Sequence, residues 1–168
     1  MADNVLNTEL QWSEVPTCHR KAFIDERATK TASPIPAGTD LFKWTQQPTL
    51  LDEKGRVSPW WFAAAAQDYG GWGFREFERR IANVDGLPQE FVRAVGAVCH
   101  GWNELTHLKR IRLVAPVHGW YGQTSSQPYA DHKSEPKLHA ATKNVWWIGG
   151  VPQLYIPNMT GKHAIEIP

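Results

Sequence analysis

At 168 residues the chain can bury one sizeable core, and it reads as a single domain, 1–168, whose residues 1–38 form a helical and loop segment packed on the body. Eighteen Lys plus Arg against 17 Asp plus Glu leave a net charge of +1, which excludes the strong positive field behind non-specific nucleic-acid or membrane-surface binding. Nine Trp are many for this length, and amphipathic indoles in such number are expected to line a pocket as well as fill a core.

The opening residues MADNVLNTEL carry neither a basic n-region nor an apolar run, and no stretch approaches the length of a membrane span. The expectation is a chain made in the cytoplasm and, if it acts elsewhere, exported by a dedicated secretion system. Two cysteines, Cys18 and Cys99, supply no disulfide framework and no zinc spacing.

In chain order, His19–Thr29 reads as a short helix and 31–38 (TASPIPAG) as a loop. Residues 39–45 (TDLFKWT) alternate as a strand, with Leu41, Lys43 and Thr45 on one face and Phe42 and Trp44 on the other. Residues 56–62 (RVSPWWF) are extended, since Ser58 precedes Pro59, and the small-residue run from Ala63 to Asp68 suits a helix or close packing. Phe74, Phe77 and Ile81 mark a helix over 74–83; Phe91, Val95 and Val98 mark another from Leu87 to His100, with Pro88 in its first turn. Strands follow over 109–115 and 117–123. Residues 125–143 are polar and too long for an ordinary connection, so they read as a surface loop, mobile or functional. The tail 144–160 holds two apolar runs, Val145–Ile148 and Leu154–Ile156, separated by Gly149-Gly150, and a last short run follows at 163–167. This order predicts an α+β fold, mostly antiparallel, with two packed β-sheets and two to four helices.

Several constellations bear on chemistry. His100, Glu104 and His107 share one face if the second helix runs on, which allows a metal site; the helix end and Gly101 argue against it. Cys99 next to His100 reads as a buried structural thiol, since adjacent helical side chains diverge. Gly70–Gly73 before a helix lacks the residues of a phosphate loop. Gln153 is the one amide inside the apolar tail, on the face of Tyr155 and opposite Leu154. A buried amide there is either a structural tie or a ligand-holding group.

An early-strand cation (LFKW), a Ser–aromatic block (RVSPWWFA), helices, and a late strand with a polar residue (PQLYIP) together resemble the ADP-ribosyltransferase superfamily in its compact bacterial toxin-like members, over residues 39–157. That resemblance implies an NAD-binding cleft in which Lys43 holds phosphate with Thr45 and Ser58 beside it. Trp60 or Tyr69 stacks on the nicotinamide and Gln153 hydrogen-bonds the ribose. Lys43 and Gln153, the implied catalytic pair, stand where the family places Arg or His and Glu. Lys lacks the bidentate fork of Arg, and an amide cannot offset positive charge as a carboxylate does. The implied function is an NAD-handling toxin or effector, with a protein target or a cognate neutralising protein as partner, and no nucleic acid or membrane. The alternative is a non-enzymatic module whose Trp-rich groove grips a protein, peptide or glycan.

Overall fold

The computed structural model describes residues 5–24, 28–65 and 68–168. Alternation of apolar and polar residues builds β2 (Asp40–Thr45), which lies at the heart of the sheet. It pairs along its whole length with β4 (His107–Leu113) and over Leu41–Phe42 with β3 (Trp60–Ala63), both antiparallel. The remaining strands are β1 (Thr29–Lys30), β5 (Trp120–Gln123), β8 (Pro152–Tyr155) and β9 (Ala164–Glu166), giving the order β1-β5-β8-β3-β2-β4-β9. A separate two-stranded ribbon joins β6 (Gln127–Pro128) to β7 (Trp146–Trp147).

The two packed sheets expected from the sequence are instead one seven-stranded sheet that passes through β3. The first half of β3 pairs with β8 (Trp60 opposite Tyr155, Trp61 opposite Leu154) and the second half with β2 (Phe62 opposite Phe42, Ala63 opposite Leu41). One face buries Leu41, Trp61, Ile111, Leu113 and Leu154. On the other, Phe42 and Phe62 pack against Phe77 of α2 (Phe74–Ala82) and Val95 of α3 (Pro88–Gly96). Phe77 meets Phe62 at 4.8 Å and Phe42 at 5.2 Å between ring centres, so the helical stripe read at 74, 77 and 81 is the one that docks.

Several elements differ from the sequence reading in extent or kind. The helix expected to reach His100 stops at Gly96, because Ala97 takes the left-handed conformation (φ 51°) and Val98 N–H bonds back to the Arg93 carbonyl at 3.1 Å. His100, Glu104 and His107 therefore share no helical face: His107 opens β4, while Glu104 is exposed beside the buried Arg93. The segment 125–143 is no bare loop. It contains β6 and α4 (Pro136–Ala141), started by a proline whose missing N–H is no loss in a first turn. Of the two readings of the run from Ala63, close packing holds at its start: Ala63 ends β3 and is buried in the core. Both tail runs contribute strands: β7 joins β6, and β8 joins β3 and β5.

The N-terminal residues wrap one edge. Val15 and Phe23 are buried with Trp120 and Tyr155, and Ile24 N–H donates to the Gln123 carbonyl at 2.9 Å. The expected helix at 19–29 is shorter and earlier, α1 (Thr17–Arg20); residues 25–27 of that expectation lie outside the described chain. Cys18 and Cys99 are free thiols, and burial pushes the Cys99 thiol up to about 11, leaving it protonated at neutral pH. No described helix is long and apolar enough to cross a membrane.

Candidate functional site

The split pairing of β3 opens the site. Continuing the β2–β3 register past Phe42–Phe62 sets Lys43 opposite Trp61. Continuing β3–β8 past Trp61–Leu154 sets Gln153 opposite Phe62. Lys43 and Gln153 are thus the first residues beyond the paired stretches on either side of one strand, where β2 and β8 diverge. A cavity of about 540 Å³ lies there, and Lys43, Ser58, Trp60 and Gln153 all line it. Its volume falls within the range of small-molecule and cofactor sites.

Lys43 is its chemical centre. The ammonium has no hydrogen-bond or ion-pair partner among the described residues, and sits 4.6 Å from the centre of the Trp61 ring. Burial pulls it from its ordinary 10.5 down to about 7, so the neutral amine becomes accessible near neutral pH. The Trp61 indole is locked by donating Nε1–H to the Ser58 carbonyl at 2.6 Å, which fixes the face it offers to Lys43. Gln153, on the Phe62 face of the sheet, is buried and donates Nε2–H to the Gly96 carbonyl at a long 3.4 Å. A Cβ at position 96 would stand 3.1 Å from that nitrogen, so a glycine at the end of α3 is what lets the amide lie against the helix. Thr124 ties the walls together: its hydroxyl lies 3.3 Å from the Val95 carbonyl and 3.2 Å from that of Val151, and accepts the Gly150 N–H at 3.0 Å.

Two residues grouped with the site by sequence lie elsewhere. Tyr69 is in a turn with φ 51°, its ring 5.6 Å from that of Tyr121, and does not line the cavity. Thr45 is buried with its hydroxyl accepting the Gln47 N–H at 3.2 Å, also away from the cavity. Strand alternation places Thr45 on the face of Lys43, but the cavity ends before it.

Other lining residues come from places the sequence did not connect to the site. His19 and Cys18 arrive on α1, and Gln127, Asp131, His132 and Lys133 on the segment expected to be a loop. Asp131 is the one carboxylate among the described lining residues. Its Oδ2 accepts hydrogen bonds from Lys133 N–H (3.1 Å), Ser134 N–H (2.8 Å) and the Ser134 hydroxyl (2.6 Å). Ser134 above all holds its pKa far below the usual carboxylate range, so it stays anionic. The D-x-x-S spacing at 131–134 was the legible signal for that turn; the one local mark on His19 was its neighbour Cys18.

No family model matches the chain, and no curated protein matches it. Among solved structures, one described as "Structure of Tse6 in complex with Tsi6" is similar over 90% of this chain and 80% of that chain, at 14% identity and a TM-score of 0.41. A similarity of that depth assigns neither family nor activity, and the functional reading stands on the cavity itself.

Proposed function

We propose that the chain handles NAD in this cavity, as an ADP-ribosyltransferase-like toxin or effector that breaks the bond between nicotinamide and ribose and passes the ADP-ribosyl group to water or to a protein target. The observation that carries this reading is the convergence of Lys43, Ser58, Trp60 and Gln153 on one cavity, from three separated stretches of chain. Each has work to do there. Lys43, without a carboxylate partner, takes up a proton when a pyrophosphate arrives and becomes its counter-charge. Trp60, partly exposed and held edge-on by His19, offers an indole to the nicotinamide. Gln153 offers its amide to the ribose hydroxyls, its tie to Gly96 being weak enough to exchange.

Calorimetric titration with NAD, together with measurement of released nicotinamide, tests the proposal. Wild type should bind and cleave; Lys43→Met and Gln153→Ala should lose binding while keeping the fold. Absence of NAD binding by wild type refutes it. A second reading, a binding module for a protein partner, draws on an exposed apolar strip on β7 and its flanks, where Trp146 is 55% and Ile148 73% accessible. It would take over if NAD does not bind and expression of the chain in a bacterial host leaves growth unaffected.

A further inference from the structure

We propose that His19, delivered to the cavity by the N-terminal segment, is the general base that takes the proton of the attacking nucleophile, with Tyr155 as its positioning partner; this rests on the NAD reading above. His19 Nδ1 lies 2.7 Å from the Tyr155 hydroxyl oxygen. Its ring stands edge-on to Trp60 at 5.8 Å and to Tyr155 at 5.1 Å, so packing and a hydrogen bond fix its orientation together. In the tautomer that donates Nδ1–H to the Tyr155 oxygen, Nε2 carries a free lone pair, and it has no protein hydrogen-bond partner among the described residues. The relation is that of a base held by a third group, here a phenol.

Burial lowers the His19 pKa and pushes that of Tyr155 up to about 12, the charge of Cys18 adding to the latter. The imidazole is therefore neutral and the phenol protonated at neutral pH, the states the role requires. Beside Tyr155, the titratable groups around this ring or across the cavity are Cys18 on α1, Lys43 on β2, and Asp131, His132 and Lys133 after β6. In the step itself the O–H bond of water or of an acceptor hydroxyl breaks and its proton goes to His19 Nε2. The oxygen lone pair forms the new bond to the anomeric carbon of the ribose. The electrons of the carbon–nitrogen bond leave with nicotinamide, which departs neutral, and His19 returns its proton to solvent.

The test pairs His19→Asn with Tyr155→Phe. Asparagine keeps a polar atom near the position of Nδ1, and so the tie to Tyr155, while deleting Nε2. It should lower the rate of nicotinamide release about 100-fold while the protein still folds and binds NAD, with any loss of affinity far smaller than the loss of rate. In wild type at saturating NAD, where the bound pyrophosphate keeps Lys43 charged, the rate should rise with pH through the His19 pKa and then level. Tyr155→Phe removes an acceptor that favours the charged imidazole, so it should move that rise to lower pH, an effect that loss of packing alone would not produce. Full activity in His19→Asn, or an unmoved pH profile in Tyr155→Phe, overturns the assignment. Wild-type protein that binds NAD without releasing nicotinamide overturns it too and leaves NAD binding standing. Failure to bind NAD at all removes the reading on which it rests.

Discussion

Replacing Lys43 by Met should make the protein more stable and useless for its ligand. The ammonium falls from 10.5 in the unfolded chain to about 7 in the fold, which at pH 7 corresponds to about 4 kcal/mol against folding. The Trp61 face, 4.6 Å from Nζ, offsets about 1–2 kcal/mol of this through a desolvated cation–π contact. A net penalty of roughly 2–3 kcal/mol remains, and methionine removes it while filling similar volume in an apolar site. For a domain of this size the melting temperature should rise by roughly 5–10 °C. The sign with pH follows from the lowered value. Between about 7 and 10.5 the unfolded chain holds a proton that the folded chain does not, so wild type gains stability as pH rises through that interval. The gap between variant and wild type should therefore be widest at pH 7 or below and close as pH approaches 10. Scanning calorimetry of both proteins at several pH values measures this, and NAD titration of the same samples should show binding lost. A variant that melts lower than wild type, or a gap that ignores pH, refutes the picture of a desolvated, unpartnered lysine held for a ligand.

Gln153→Ala should lower the melting temperature by no more than a few degrees, since the single 3.4 Å bond to Gly96 is worth about 1 kcal/mol or less, while NAD binding disappears; a large loss of stability with binding intact makes Gln153 a structural tie. Gly149→Ala should destabilise by about 2 kcal/mol or more in denaturant melts, because φ is +64° and the new Cβ would stand 2.7 Å from the Thr124 carbonyl oxygen. Arg93→Ala should cost about 2–4 kcal/mol. The buried guanidinium donates to the Cys99 carbonyl at 3.2 Å and pins the stretch that leaves α3 along the cavity wall. A change under about 0.5 kcal/mol would show that the stretch holds itself.

The sequence by itself determined the elements whose burial is local. The alternation in DLFKWT sets β2 and its two faces, and Phe74, Phe77 and Ile81 set the docking face of α2; the α+β order of strands and helices follows from periods of 2 and 3.6 read over short windows. A likeness in the order of short blocks grouped Lys43, Thr45, Ser58, Trp60, Tyr69 and Gln153; Lys43, Ser58, Trp60 and Gln153 line one cavity, while Thr45 and Tyr69 lie outside it. Tertiary structure decided the rest, and the reason is sequence separation. That β3 gives one half to β8 and the other to β2 depends on strands about 20 residues before it and 90 after, and no window of local pattern contains that choice. The end of α3 depended on one left-handed residue, Ala97, where an alanine would ordinarily extend a helix. His19 reached the cavity because Val15 and Phe23 bury themselves against Trp120 and Tyr155, 100 residues and more along the chain, so the partner that gives its imidazole a role is supplied by packing alone.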